Sequence, residues 1–141
     1  MKLTILGEPM GKQRPKFARV GMGVNAVTPK KTTNYETYIK YIYAEKYKGM
    51  MFEIDEPLKI EIIAYKAPPS STSKKKLKLM LENILRPTKK PDWDNIGKIV
   101  GDALNKVAYP DDKQIVDAHI IKFYDTEPRV EITITSLEKE E

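Results

Sequence analysis

Between Lys90 and Asp117 the chain reads KPDWDNIGKIVGDALNKVAYPDDKQIVD, a stretch that holds six of its eight aspartates and no glutamate. Carboxylates gathered without a counter-charge repel one another and raise the pKa of some of them, whereas a hard divalent cation turns the same group into a set of oxygen ligands. Aspartate suits that work because its short side chain gives up less rotamer freedom than glutamate on being fixed. The plain alternative is an acidic, solvated helix and loop, which is the ordinary meaning of surface Asp.

The spacing says how such a set would be held. A helix starting at Asp94, capped by Asp92 or by Asp94 itself, runs to about Val107 with Ile96, Ile99, Val100, Ala103, Leu104 and Val107 as its apolar stripe. Steps of three and four residues then leave Asp94, Lys98, Asp102 and Asn105 on the opposite side. Asp92, just ahead of the first turn, can swing its carboxylate towards the same point as Asp94. The third member has to come from Asp111-Asp112, which requires the chain to return to the cluster after the break at Pro110. Three convergent aspartates hold one magnesium ion, or help to hold two, for phosphodiester hydrolysis. Lys98 either offsets phosphate charge and orients the water or forms an i,i+4 salt bridge to Asp94. Gly97 and Gly101 each cost about 1 kcal/mol relative to Ala in a helix interior, so a close neighbour is expected there, a nucleic-acid backbone or a second subunit.

Charge is unevenly spread for a net of +5. Residues 1–50 carry ten Lys or Arg against three acids and residues 66–90 carry eight against one, whereas residues 91–141 carry twelve acids against six bases. Basic segments on either side of an acidic centre suit a polyanion gripped by its phosphates, one of which is brought to a metal. The alternative, that lysines serve solubility, explains their number better than their segregation. A chain of 141 residues is read as a single domain, 1–141. It has no cysteine, so disulfide and thiolate chemistry are excluded. No apolar run is long enough to span a bilayer, the start MKLTILGEPMGK is too short in its apolar part for a signal peptide, and a cytoplasmic location is expected.

The elements that must carry these residues follow from the pattern. Strands are predicted over Lys2–Leu6, Pro57–Tyr65, Gln114–Tyr124 and Arg129–Ser136, with Leu58, Ile60 and Ile62 on one face of the second. Lys16–Val20 and Val24–Thr28 make a hairpin around Gly21-Met22-Gly23. A helix capped at Thr33, with Glu36 completing the capping box, runs to Tyr47, and Ser73 caps a shorter one through Asn83. The tail from residue 136 is expected to fray. The fold class is α+β, a small mixed sheet with helices packed on one side. Trp93 is expected to pack behind the two leading aspartates. His119, the sole histidine, is expected to be half-buried packing in its strand rather than a base, and Asp117 on the same face either approaches the cluster or makes a structural hydrogen bond. The Tyr-rich helix from Tyr35 to Tyr47 is read as core or dimer interface rather than as a surface for stacking bases.

KPDWDN, then GKIVGDALN, then DDKQIVD closely resembles the signature of the RusA family of Holliday junction resolvases, especially its phage and prophage-type members. A G-x-P-x-x-K-x-R-P segment, here Gly7, Pro9, Lys12, Arg14 and Pro15, adds to the resemblance, and the order of elements agrees over nearly the whole length. The sequence departs from many members at Lys106, where they have Gly. The resemblance implies a RusA-like fold and a homodimeric, magnesium-dependent endodeoxyribonuclease, manganese being a possible substitute, that nicks four-way DNA junctions symmetrically and uses no organic cofactor. By position, Asp92, Asp94 and Asp112 correspond to the metal-binding aspartates and Lys98 to the catalytic lysine. Asn95, Asp102, Asp111 and Gln114 match motif positions with less defined, supporting roles. A four-way junction offers two equivalent phosphates, which a two-fold dimer can meet with one site each. Lys12, Arg14, Lys16, Lys89 and Lys90, with Arg19 and Arg86, are the expected phosphate contacts, Arg14 having a structural ion pair as its alternative. Two other readings stay open: a branched-DNA-binding module whose aspartates only brace the helix, and a nuclease acting on flaps or other branched DNA.

Overall fold

The computed structural model describes residues 1–13, 16–20, 23–27 and 30–138, with 16–20 and 23–27 described by their backbone alone. The elements in chain order are β1 (Lys2–Leu6), β2 (Lys16–Val20), β3 (Gly23–Val27), α1 (Lys30–Tyr47), β4 (Leu58–Lys66), α2 (Lys74–Leu81), α3 (Trp93–Leu104), a single 3-10 turn (Asp112–Gln114), β5 (Ile115–Tyr124) and β6 (Arg129–Ser136). Four strands form a mixed sheet in the order β1-β6-β4-β5, antiparallel except for the β4–β5 pair. A parallel pair needs a crossover, and the segment holding α2, α3 and the acidic loop supplies it. β2 and β3 pair as a separate antiparallel ribbon. The architecture is the α+β arrangement expected.

One face of the sheet is apolar because alternate residues of each strand point the same way. Leu3 and Ile5 of β1, Leu58, Ile60, Ile62 and Ala64 of β4, and Val130, Ile132 and Ile134 of β6 are all buried on it. Against them pack Ile39 and Tyr43 of α1 and Ile96, Ile99, Val100, Ala103 and Leu104 of α3. The stripe predicted for α3 is therefore its core face, and what it leaves outward is the polar side carrying Asp94, Lys98 and Asp102.

Several boundaries differ. α1 begins at Lys30, so Thr33 lies inside the helix and its carbonyl accepts from the Thr37 hydroxyl at 2.8 Å. Ser73 does cap α2, accepting from the Lys76 amide at 3.3 Å, yet none of that helix's residues is buried, so its apolar side is not core. α3 stops at Leu104, and the chain turns through Lys106 at φ +62°, a left-handed conformation that glycine adopts without strain. That is the position where many RusA-like sequences carry Gly. β6 runs through Ser136, so the chain is in a strand there, and residues 139–141 of the expected frayed tail lie outside the described residues. The turn residues 21 and 22 of the hairpin lie outside them as well. Among the described residues no helix is long and apolar enough to cross a membrane.

Candidate active site

α3 positions the acidic residues. Asp92 is its N-cap, with extended backbone (φ −69°, ψ 149°), and its carboxylate makes no capping hydrogen bond, which leaves it at the positive end of the helix dipole. It lines a cleft of about 600 Å³ with Lys12, Gln13, Lys90, Pro91 and Asn95. The cleft depends on glycine: a Cβ on Gly11 would lie 2.9 Å from the Asn95 Cβ and 3.1 Å from the Pro91 Cβ, and the Lys12 amide donates to the Asn95 carbonyl at 2.9 Å. Asp94 is exposed in the first turn and forms no ion pair with Lys98 among the described residues.

Two turns further along, a second cavity of about 340 Å³ opens between α3 and the sheet. Lys98, Asp102 and Asp112 line it above an apolar floor of Ile60, Ile62, Ala118 and Ile120. The two helix glycines separate here. Gly97 is met by the Ile120 side chain, 2.6 Å from where a Cβ would stand, so the expected close neighbour is the protein's own β5; Gly101 faces open space.

Asp112 reaches this cavity because the loop after α3 is tightly held. Its amide donates to Asn105 Oδ1 at 3.1 Å. The Asp111 amide donates to Gln114 Oε1 and the Lys113 amide to Asp111 Oδ1, both at 3.1 Å. Gln114 is buried and its amide nitrogen donates to the carbonyls of Glu53 at 2.8 Å and Glu56 at 3.1 Å. Asp111 and Gln114 are thus braces of the acidic loop, tying it to the segment before β4.

The electrostatics follow from crowding. Partial burial, then Asp111 and Asp102 beside it, raise the Asp112 carboxyl above its ordinary value, while the Lys113 amide helps to lower Asp111. Burial first, then Asp112 and Asp102, push the Tyr109 hydroxyl up as well, and that hydroxyl donates to the Gly101 carbonyl at 3.0 Å. Lys12 opposes this negative charge. It pairs with Glu36 and, at 3.4 Å, with Asp102; burial lowers its pKa, but these two carboxylates outweigh that and raise it.

A hard divalent cation suits the chemistry of the Asp102–Asp112 pair, because carboxylate oxygens are its natural ligands and magnesium commonly takes only one or two from a protein. Asp92 and Asp94 lie nearer the start of α3 than Asp102 does. At 1.5 Å rise per residue, Asp92 is about 15 Å and Asp94 about 12 Å from Asp102 along the helix axis. Among the described residues no three His, Cys, Asp or Glu side chains form a metal-binding group. Asp92, Asp94 and Asp102 are therefore spread along α3, with Asp112 sharing the cavity beside Asp102.

The basic residues divide similarly. Lys89 and Lys90 are exposed, and their carbonyls accept from Lys122 Nζ at 2.6 Å and Lys66 Nζ at 3.1 Å. Lys12 is engaged with carboxylates, a different role from free phosphate contact. Arg14 lies outside the described residues, and only the backbone of Lys16 and Arg19 is described. Lys122 was missed from sequence: it takes the inward position after Ala118 and Ile120 on β5, where a lysine is out of place unless its amine serves something at the sheet's end. Burial, with Lys66, lowers its pKa, and Asp92 opposes that shift. Trp93 does not pack behind the aspartates, being 65% exposed. His119 is 51% exposed and pairs with Asp117 at 2.8 Å on the sheet face opposite the helices, so neither belongs to the acidic ridge.

The model of the family Endodeoxyribonuclease RusA matches residues 7–135. The chain belongs to the RusA family. It is also 37% identical over 136 residues to the uncharacterized protein YqaN of Bacillus subtilis strain 168, an alignment covering 95% of this chain and 94% of that protein. RusA membership makes endodeoxyribonuclease activity the class of chemistry for this chain.

Proposed function

We propose that this RusA-family chain is a magnesium-dependent nuclease that resolves four-way DNA junctions in recombination and repair, working in the cytoplasm as a homodimer that places one site at each of two symmetric phosphates. The observation that carries the reading is that Lys98, Asp102 and Asp112 line one cavity, with Asp94 and Asp92 nearer the start of the same helix. Asp92, Asp94 and Asp112 are the residues that would hold the ion, with DNA phosphate oxygens and water as its further ligands. Magnesium, or manganese in its place, supplies charge neutralisation at the scissile phosphate and lowers the pKa of the attacking water.

The chain's own groups do the rest. Lys98 sets a positive charge against the phosphate beside Asp112. Asp111, Gln114 and Asn105 hold Asp112 in place through its loop, and the Lys12–Asp102 pair fixes the N-terminal segment to α3. Lys89 and Lys90, with Arg14 and Lys16, grip flanking phosphates, which fixes register without reading sequence.

A second reading, a branched-DNA-binding module whose acids are structural, is favoured by the bracing roles of Asp111 and Gln114 and by the open spacing of the ridge. A synthetic four-way junction assayed beside matched flap and linear duplex, in magnesium and in chelator, separates the two. The resolvase reading expects paired nicks in the junction with magnesium only. No cleavage under any metal would leave the binding module, and preferential flap cutting would transfer the same residues to a flap nuclease.

A further inference from the structure

We propose that Trp93 is a stacking residue that takes the exposed face of an unpaired or unstacked nucleobase when branched DNA occupies the site; the proposal rests on the nuclease reading and adds to it a contact with a base. Trp93 is the sole tryptophan of the chain and the first residue of α3, set between Asp92 and Asp94, yet it is 65% exposed. Among the described residues its ring has no aromatic or cationic partner, whereas Tyr43 packs on Tyr47, Tyr65 stacks on Phe123, and Arg129 and Arg86 lie over Tyr65 and Phe123. The backbone that carries its indole is held in place, because α3 is anchored by five buried side chains and the preceding Lys89-Lys90 backbone is held by Lys122 and Lys66.

The surroundings choose the occupant. Lys89 and Lys90 lie exposed just before Trp93 in the chain and Asp92 and Asp94 lie exposed on either side of it, so the aromatic face sits between a basic pair and the proposed ion ligands. A nucleic acid suits every part of it, with phosphates for the lysines, a phosphate for an ion held by the aspartates and a π-face for the indole. Continuous duplex hides its base faces within the stack. A branch point exposes them, next to the phosphates that the aspartates would reach.

Because Trp93 is the only tryptophan, its emission reports the contact directly. Wild-type protein in chelator, where the nuclease reading allows binding without cleavage, is titrated with a four-way junction and with a linear duplex of matched sequence, while the anisotropy of labelled DNA follows binding independently. Stacking predicts that the junction quenches the emission and that bound duplex leaves it nearly unchanged. Trp93→Ala is expected to bind the junction about 5-fold to 150-fold more weakly, the range of one aromatic–base stack, with Trp93→Phe recovering most of the loss and both variants melting like wild type. Junction binding seen by anisotropy without quenching, or equal quenching by junction and duplex, overturns the proposal and leaves the nuclease reading standing. An emission shift that follows protein concentration without DNA assigns the patch to a second copy and also overturns it. Absence of any DNA binding removes both.

Discussion

Asp112 is placed where its charge is costly to the fold. Burial and the neighbouring Asp111 and Asp102 raise its pKa, so the folded state disfavours the ionised form relative to the unfolded chain. The cost is complete above the raised pKa and fades as pH falls through the ordinary value of 3.8, where the group is protonated in both states. Asp112→Asn is therefore expected to raise the melting temperature at pH 7 in chelator, by about 1–3 °C after allowing for solvent screening, with the difference vanishing near pH 3. Magnesium should reverse the order, stabilising the wild type by binding its folded state and giving the variant less. Differential scanning calorimetry with and without the ion measures both. Equal melting of the two proteins at every pH and metal concentration would mean that Asp112 is simply solvated.

The elements around the site carry a contrast between glycines. Gly101→Ala adds a Cβ into open space on a helix and is expected to stabilise by about 1 kcal/mol, whereas Gly11→Ala drives a Cβ against Asn95 and Pro91 and is expected to cost about 1–3 kcal/mol. Denaturant unfolding of the two variants checks the signs, and a destabilised Gly101→Ala would show that its cavity is smaller than described. The alternation in β1, β4 and β6 and the helical period of α3 were legible because each is a local pattern matched to one buried face. Less could be read where a residue's role is set by a partner far along the chain. Gln114 is buried because Glu53 and Glu56 offer carbonyls, and Lys12 turns inward because Glu36 and Asp102 receive it. The spacing offered the acids as one set, but how they are spread along α3 could not be read from it, since that depends on where the loop after Pro110 returns. It returns to Asp102, one turn beyond Lys98, rather than to the helix start.

Across the whole molecule, segregated charge becomes a ridge of acids on α3 with exposed lysines at its N-terminal end. If those lysines grip DNA, Lys89→Ala or Lys90→Ala should weaken junction binding for every sequence and reduce the slope of log affinity against log salt by about 1 each. Anisotropy titrations over a salt series give that slope, and an unchanged slope would remove the lysine from the interface. A homodimeric enzyme should also nick both strands of one junction in a single encounter, whereas independent chains would accumulate singly nicked product.

The most direct test of the acidic ridge compares cleavage with binding in Asp92→Asn, Asp94→Asn and Asp112→Asn. The expected result is single-turnover cleavage of a four-way junction in magnesium falling by about 10²–10³-fold in each variant, the scale of losing a charge-stabilising group, while junction affinity in chelator stays within a few-fold of wild type. Full cleavage by Asp112→Asn, or lost affinity with undiminished cleavage of the bound junction, would contradict the claim that these carboxylates serve the chemistry.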